Sequence, residues 1–589
     1  TDTRWTRDNV YILSRVIFVT NGANLTIEPG TIVRGVSAGV TGLSGVNSEP
    51  GSLVICRGSK IIANGSAEDP IIFTSIDDPN VPGGLNTVPA TWRNVFGVTH
   101  TIKGTRRHGS LQKNDYSPSG KPGDNGFSKA ARWGGVIICG NGYVTQNTGS
   151  TDGNSDGYWD SHVVIDPNDA SLSIKGQNRG TGADYVEGLA TESGSTVLNS
   201  SLAIYGGMND NDNSGVMRFC SLRYGGFVIG LGNEINGLTI CGAGAGTTLE
   251  WIEVYQNADD GFEWFGGKHD TRFLFSLSNH DDAFDGDEGY RGNNQFWTVA
   301  QGTLDLSGGG LRSGFPSNGI IGQEVTNVTE YGYLNPLEWD GGEPNNGDRL
   351  PKTIIGIYNL TVLSGNTTKK GFLPKLEAQM GLYNVIIENS NKVSELADPT
   401  GGLFGTAMSW GNVRSFDTTV TGSVEKGNIT GLTEVSPMVE ESATNTAITG
   451  PIHAAIYKKN GLDLRLGAGK PARTESAHMP PAGFVQVGYA GSMRDNNMLA
   501  GWSVLERLQV LPTTNVARPV ISMSISGGNP VVNFPSAGAD IKYVVERSSN
   551  QRDWTPVNTT PVSNATTISV TDTATTLGSS PVFYRAYAL

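Results

Sequence analysis

Residues 259–263 read Asp-Asp-Gly-Phe-Glu, and residues 281–285 read Asp-Asp-Ala-Phe-Asp, so the block returns after 22 positions. An apolar segment precedes each copy, at 251–255 in the first case and at 273–277 in the second. Self-similarity with a period of roughly 20 to 50 residues is the signature of a repeat architecture, in which each repeat buries its apolar side chains against the next. The block therefore predicts a solenoid.

A second pair of blocks extends the repeat toward the C-terminus. Residues 356–362 read Gly-Ile-Tyr-Asn-Leu-Thr-Val, and residues 381–387 read Gly-Leu-Tyr-Asn-Val-Ile-Ile, 25 positions later. Repeats of this length match one coil of a parallel β-helix, whose coils stack about 4.8 Å apart through backbone hydrogen bonds. We therefore expect the acidic pair at 281–282 to lie over the pair at 259–260 on a wall of stacked strands.

The composition favours a β-rich chain. Glycine supplies 80 of the 589 residues, roughly twice its usual share, and charged residues supply only 17%. Apolar residues occur in short runs separated by Gly, Asn, Asp and Ser, without a sustained helical period. The sequence predicts an all-β parallel β-helix, with long inserted loops where the rhythm is broken, at 78–130, 145–200 and 300–350.

The texture of the sequence changes near residue 490. Residues 1–503 are predicted to form the β-helix with an N-terminal cap, and 504–516 a linker. Residues 517–589 carry alternating strands, which suggest a small fibronectin-III-like or Ig-like β-sandwich with Trp554 as its core anchor. Modules of this kind usually attach, space or assemble.

The charge balance and hydropathy exclude several classes of partner. A formal net charge of −14 repels a phosphate backbone, so nucleic acid is excluded as a partner. No apolar run approaches the ~18 to 20 residues that a transmembrane helix needs. The chain begins at Thr1 and lacks a basic-then-apolar leader, so we expect a mature extracellular or cell-surface protein whose signal peptide has been removed.

The four cysteines leave their pairing open. Cys56 and Cys139 end similar strands, and Cys220 and Cys241 lie 21 positions apart. Stacked neighbours in a parallel sheet point the same way, which suits buried free thiols at least as well as disulfides. Both alternatives stand at this point. Covalent haem and zinc motifs are absent from the sequence.

Several blocks together resemble a family of secreted or surface-anchored bacterial right-handed β-helix proteins, most of them described only as hypothetical proteins or lipoproteins. The resemblance covers residues 5–503 and implies a right-handed coil and an extracellular address, but no activity. The blocks are NVYIL at 9–13, LTIEPGT at 25–31, WGGVII at 133–138, NEINGLT at 233–239, DDGFEWFGG at 259–267 and DDAFDGDEGYRG at 281–292.

Two loops have the spacing of calcium ligands. Residues 152–160 place oxygen ligands at loop positions 1, 3, 5 and 9 with Gly at position 6, although the acidic residue expected at position 12 is missing. Residues 210–214 repeat the one-three-five spacing. Asx turns are the alternative explanation for both loops. The candidate calcium ligands are Asp152, Asn154, Asp156, Asp160, Asp210, Asp212 and Ser214.

The repeated acidic pairs suggest a further cation site. Like charges about 5 Å apart on neighbouring coils repel strongly unless a cation, a proton or an arginine compensates them. The compensating group is expected to be a metal, with calcium favoured by hard oxygen ligands, or a basic side chain such as Lys268, Arg272 or Arg291. The candidate ligands of this region are Asp259, Asp260, Asp281, Asp282, Asp285 and Asp287.

The sequence supports two classes of function. The first is a structural or adhesive cell-surface protein, stiffened by calcium and assembling with copies of itself into a filament or a surface layer. The second is a carbohydrate-active protein, either a glycan binder, a polysaccharide lyase or a hydrolase, with a cell-surface polysaccharide as partner. A hydrolase needs two or three carboxylates facing one cleft, which Glu263, Asp285 and Asp287 could supply. Because these acidic residues recur with the coil period, as structural ladders do, we favour the non-enzymatic class.

Overall fold

The computed structural model describes most of the repeat region and most of the C-terminal region. The described residues are 1–36, 50–76, 78, 81, 91–93, 99–101, 104–108, 132–145, 184–186, 189, 202–230, 233–301, 303–305, 320–321, 335–341, 351–364, 370–388, 390, 392–395, 407–416, 433–434, 456–457, 462–467, 469, 471–474, 478–507, 510–513, 515–516, 518–551, 554–575 and 581–589. The predicted calcium ligands Asp152, Asn154, Asp156 and Asp160 lie outside these residues.

Two long sheets of parallel strands form the body of the protein. In the described part of the chain, sheet 1 has nine strands: Val16–Val19, Ser52–Ile55, Val136–Cys139, Leu238–Cys241, Phe262–Phe265, Phe284–Asp287, Leu337–Asp340, Lys370–Lys375 and Lys392–Ser394. Sheet 2 has seventeen strands among the same residues: Thr3–Trp5, Asn9–Leu13, Asn24–Ile27, Ile32–Gly35, Lys60–Asn64, Ile71–Ser75, Gly104–His108, Gly215–Arg223, Thr248–Tyr255, Thr271–Leu277, Arg291–Gln295, Thr298–Ala300, Ile354–Tyr358, Thr361–Leu363, Gln379–Glu388, Ala407–Phe416 and Thr433–Glu434.

The chain alternates between the two sheets and so forms coils. One coil runs from Leu238–Cys241 in sheet 1 through Thr248–Tyr255 in sheet 2 and returns to sheet 1 at Phe262–Phe265. There Phe262 pairs with Phe284 and Glu263 with Asp285, which is the offset of 22 seen in the sequence. The predicted parallel β-helix is confirmed, whereas its right-handed sense stays a prediction.

Side chains of like character stack inside the coils. Leu238, Phe262, Phe284, Leu337 and Phe372 follow one another in register along sheet 1, and all five are fully buried. Strand side chains alternate between the two faces of a sheet, so the residues between these apolar positions point outward. The columns of inward side chains form the main core, whereas the columns of outward side chains are available for binding or catalysis.

Sheet 2 bends at one residue in the left-handed conformation, either within a long strand or between two successive short strands. These residues, which we call the corner column, have φ between 46° and 59°. A left-handed residue other than Gly costs roughly 1–2 kcal/mol, so the surrounding packing must hold it. The aromatic members stack ring on ring, with centroids 5.1, 4.0 and 5.0 Å apart along the column. The corner column comprises Phe219, Trp251, Phe273, Phe296, Asn359, Asn384 and Asn412.

A segment that we call the strap, residues 478–507, runs along the outside of the corner column. The Asn359 side chain donates to the Tyr489 carbonyl at 2.7 Å, and Asn384 donates to the carbonyl of His478 at 2.6 Å. Trp502 packs edge-on against Phe219 with centroids 5.6 Å apart. The strap contains the helix Val504–Arg507, and a 3-10 turn, Pro471–Arg473, precedes it. No helix in the described part of the chain has the length and apolar character needed to cross a bilayer.

The C-terminal region forms two further sheets of three antiparallel strands each. Their shared core contains Val532, Phe534, Tyr543 and Ile568, whereas the predicted anchor Trp554 is half-buried beneath the Arg585 guanidinium, 4.5 Å from its ring. The fibronectin-III-like or Ig-like class and the domain boundaries stay predictions. One sheet contains Ser522–Ser526, Asn529–Pro535 and Thr567–Thr571, and the other contains Thr555–Pro556, Tyr543–Ser548 and Phe583–Ala588.

Short pairs and one small sheet complete the described strands. Three antiparallel pairs are Thr91–Arg93 with Thr99–Thr101, Asp184–Tyr185 with Ile204–Tyr205, and Phe227–Gly230 with Asn233–Ile235. A three-stranded sheet contains Thr303–Asp305, Ile320–Ile321 and Ile456–Tyr457.

A buried network of charges joins the C-terminal sheets to the β-helix. Glu250 of sheet 2 contacts Arg218 at 2.8 Å and Arg272 at 2.5 Å. From the C-terminal sheet, Glu546 contacts Arg272 at 3.0 Å and Arg585 at 2.5 Å. Burial opposes ionisation of Glu250, but the arginines around it hold its pKa well below the ordinary value. The alternating signs make the two regions interdependent, because removing one member leaves a buried charge unpaired.

All four cysteines are free and buried. Cys139 pairs in register with Cys241, and Ile55 pairs with Ile138, which places Cys56 beside Cys139 on the outward side of sheet 1. Cys220 lies apart from them in the main core. Burial raises the pKa of Cys56 and of Cys220 to about 12, so both are thiols at neutral pH.

We predict that Glu253 makes the docking of the strap sensitive to pH. Its Oε1 accepts a hydrogen bond from the Val504 N–H at 2.7 Å, and burial raises its pKa to about 7 from the ordinary 4.5. The folded state therefore holds a proton that the unfolded chain has released, so stability falls as the pH rises from 4.5 through 7. Between pH 5 and pH 8 the unfolding free energy of the wild type should fall by about 2.5 kcal/mol more than that of E253Q.

Urea unfolding at both pH values measures this difference, with the exposed Asp540→Asn as the control. Equal pH dependence of E253Q and wild type would contradict the prediction.

Candidate functional site

The outward side of sheet 1 carries a column of carboxylates. Thr239 pairs with Glu263, Glu263 with Asp285, and Asp285 with Glu338, each step being one coil. Their strand neighbours point into the core, so these four side chains point outward. Neighbouring side chains in the column are about 4.8 Å apart at the backbone. Three carboxyl groups therefore follow one another along the stack.

A second outward column lies two positions further along each strand. It contains Asp287 and Asp340, and Asp340 pairs in register with Lys375. The Nζ of Lys375 lies 2.5 Å from Glu338 and 3.3 Å from Asp340. Lys375 thus bridges the two columns at their C-terminal end. We call the two columns and the acidic pairs at 259–260 and 281–282 the acidic face.

The turns that enter sheet 1 carry a ladder of hydrogen bonds. Oδ1 of Asn236 accepts from the N–H of Asp260 at 3.2 Å, and Oδ1 of Asp260 accepts from the N–H of Asp282 at 2.8 Å. Oδ1 of Asp282 then accepts from the N–H of Asn335. One oxygen of each aspartate therefore holds the next coil in place, which is the ladder expected of Asx turns.

The same aspartates crowd their carboxylates together. Oxygens of Asp260, Glu263 and Asp285 lie within 4.8 Å of one another, and so do those of Asp259, Asp260 and Asp281. Burial, followed by the neighbouring carboxylates, raises the pKa of Asp260 and of Asp285 well above the ordinary value. Asp282 is raised in the same way. Such a group is stable only with a shared proton or a cation.

The donor set fits a hard divalent cation. It consists of oxygens without His or Cys, which favours Ca²⁺ or Mg²⁺ over transition metals. The hydroxyl of Thr239, which is 3% exposed and precedes Glu263 in the column, has no hydrogen-bond partner among the described residues. Oδ1 of Asn335 is also buried without a partner, while its amide donates to Glu338 at 2.7 Å. Buried oxygens rarely lack a partner, and a cation would accept a lone pair from the hydroxyl oxygen as well as from the amide oxygen.

The basic partners expected from the sequence are engaged elsewhere, so that expectation is wrong for two of them. Arg272 pairs with Glu250 and Glu546 in the buried network. Arg291 binds both oxygens of Asp210, at 2.7 and 2.8 Å. These arginines are close to the acidic pairs in sequence. However, they lie on sheet 2 and point outward there, away from the acidic pairs.

The loop at 210–214 uses its oxygens within the protein. Asp210 is held by Arg291, and Asp212 accepts from Asn141 at 2.9 Å and from the hydroxyl of Ser214 at 2.9 Å. Among the described residues, neither aspartate belongs to a group of three acidic side chains that could hold a metal. Calcium at this loop stays a prediction without support from the contacts.

Sequence analysis missed Glu338, Asp340, Lys375 and Thr239. Glu338 lies 53 positions after Asp285, because an insertion separates their coils, and the regular period is lost. One signal was available: Leu-Glu-Trp-Asp at 337–340 matches Phe-Glu-Trp-Phe at 262–265.

Comparisons with known proteins identify the family. The model of a family described as pectate-lyase like beta helix domain matches residues 1–119 and 183–455. No curated protein matches significantly. Tailspike protein 2 from Escherichia coli O157:H7 bacteriophage CAB120 is 9% identical with a TM-score of 0.18, over 92% of this chain and 52% of the tailspike, so this chain spans about half of its length.

The Siphovirus 9NA tailspike receptor binding domain is 11% identical with a TM-score of 0.13, over 90% of this chain and 82% of that domain. At these scores neither tailspike bears on the fold. The family model covers well over half of the chain and agrees with the stacked coils described above. The chain belongs to the pectate-lyase-like β-helix family.

Proposed function

We propose that this protein binds polysaccharide on the acidic face, through a calcium ion held by Asp260, Glu263 and Asp285. The observation that carries the proposal is the convergence of these three carboxylates within 4.8 Å on an outward side of the β-helix. Ca²⁺ takes six to eight oxygen ligands, more than this group offers. The remaining positions suit the hydroxyl and carboxylate oxygens of a glycan.

The same face supports a second candidate, the acid–base hydrolysis of a glycosidic bond. Asp285 has a raised pKa and lies between Glu263 and Glu338, one coil from each. Glycosidases pair a protonated carboxyl with a carboxylate about 5 to 9.5 Å away. Asp285 would act as the acid and either glutamate as its partner. Repetition of carboxylates along the coils also suits a structural ladder, so binding ranks above hydrolysis.

The predicted cellular location, attachment module and self-assembly of the protein remain proposals. A polysaccharide ligand suits the predicted extracellular or cell-surface address, and the two C-terminal sheets suit a fibronectin-III-like or Ig-like attachment module. Assembly of copies into a filament or surface layer stays a prediction. Sedimentation velocity checks it, because the chain alone has a mass of 62.3 kDa.

We predict that calcium stabilises the protein. A ligand that binds only the folded state adds about 2.7 kcal/mol to the unfolding free energy at 100 times its dissociation constant. Thermal unfolding of chelator-treated protein, with and without added Ca²⁺, measures the change. An unchanged melting curve would show that the acidic face is only a ladder.

We predict opposite effects of Asp285→Asn with and without calcium. In chelator at pH 8, D285N should be more stable than the wild type, because ionisation of the carboxyl above its ordinary pKa of 3.8 favours the unfolded chain, whereas the folded state retains the proton to higher pH. In saturating calcium the order should reverse. The exposed Asp540→Asn is the matched control. A variant that is less stable under both conditions would contradict a cation site.

A binding assay separates the two candidate activities. Calorimetry with polygalacturonate should show binding that chelator and Glu263→Gln abolish. Release of reducing ends, or absorbance of an unsaturated uronate, would establish cleavage. Loss of that turnover in D285N, with binding retained, would assign Asp285 as the acid and not as a calcium ligand.

A further inference from the structure

A groove on sheet 2 lies on a different face from the acidic columns. Before the corner column, Gly356 pairs with Gly381 and Tyr358 pairs with Tyr383, so two glycines and two tyrosines form adjacent outward columns. The two tyrosine rings stack with centroids 4.8 Å apart and an interplanar angle of 21°. This spacing is that of the coils themselves, so the rings follow the stack.

The glycines allow the rings to lean along the strands. A Cβ at Gly381 would lie 2.8 Å from Cε2 of Tyr383, closer than real contacts permit. A Cβ at Gly356 would lie 2.7 Å from Oδ1 of Asn293 and 3.4 Å from the ring of Tyr358. Any larger residue in the glycine column would therefore displace a ring or fill the groove.

The ring stack is closed at one end by another ring, whereas at the other end Tyr358 pairs in register with Gln295, whose amide donates to the carbonyl of Val485. His478 of the strap lies against Tyr383, with ring centroids 5.3 Å apart. Among the described residues no ring stacks on the opposite side of Tyr358. A cavity of about 400 Å³ lies beside it, toward the coils that carry Asn293 and Asp270. A volume of this size accommodates part of an oligosaccharide or another small ligand.

The polar groups of the cavity balance in charge. Lys268 and Asp270 line one side, while Asn293 and Gln379 offer neutral amides. The guanidinium of Arg291, which also borders the cavity, is committed to Asp210. An aromatic face beside neutral hydrogen-bonding groups suits a pyranose. The polarised C–H groups of the sugar pack on the negative face of the tyrosine ring, and the hydroxyls at the edge of the sugar form hydrogen bonds with the neutral groups. The cancelled charges disfavour an anionic ligand.

We propose that this groove is a second saccharide site, which binds a neutral oligosaccharide with a hexose stacked on Tyr358. It lies outside the acidic face and needs no cation, so it goes beyond the function proposed above. The cavity runs over coils about 4.8 Å apart, and bound sugar residues would follow the stack axis. The protein would then contact one polysaccharide through two faces, or two different ones.

Calorimetry with maltohexaose and cellohexaose tests the proposal on the full chain in chelator. The wild type should bind one of them, and Tyr358→Ala should weaken that binding by at least about tenfold. Tyr358→Phe should stay within about threefold, because the ring face carries the contact. Gly356→Ala should weaken binding by filling the groove. Tyr584→Ala, a half-buried tyrosine of the C-terminal sheet, is the matched control, and circular dichroism checks that each variant is folded.

Three results would overturn the site. The first is no binding of either neutral hexasaccharide to the wild type, and the second is equal binding by Y358A. The third is binding that E263Q abolishes and Y358A preserves, because that pattern belongs to the acidic face. Failure of the calcium-dependent site appears separately, as loss of polygalacturonate binding with the Tyr358-dependent binding intact.

Discussion

Register between successive coils is the constraint on which the protein depends. Each residue of a sheet has as its neighbours the matching residues of the coils before and after it, about 4.8 Å away. The same rule builds the apolar column from Leu238 to Phe372 and the carboxylate column from Glu263 to Glu338. Apolar side chains gain contacts from such stacking, whereas carboxylates repel. The acidic face therefore has to be compensated by protons, a cation or Lys375, and this need is the source of its chemistry.

The corner column shows how strain and packing support each other. Residues such as Trp251 and Phe273 have positive φ, which L side chains rarely adopt. Their rings then stack outside the coil, where Tyr587 of the C-terminal sheet packs edge-on against both, at 5.7 and 5.6 Å. The buried network around Glu250 ties the same regions together. The C-terminal sheets thus help to hold the corner column of the β-helix in its conformation.

Much of the fold and part of the site could be predicted from local sequence. The offset of 22 between the acidic blocks matches the pairing of Phe262 with Phe284, because one coil is one repeat. Glu338 escaped prediction since an insertion places it 53 positions after Asp285, although in space it is one coil away. The prediction of arginine partners was wrong for the opposite reason. Arg272 and Arg291 are near the acidic pairs in sequence but belong to sheet 2, where other carboxylates hold them.

The sequence by itself determined the period, the all-β character and the stacking of the two acidic blocks, because each follows from residues that repeat along the chain. Only the tertiary structure decided which charges meet, that the cysteines remain free, and that Tyr358 and Gly356 border a cavity. These outcomes depend on which coils are neighbours and on which way each side chain points. Insertions of different length between the coils hide both from the linear sequence.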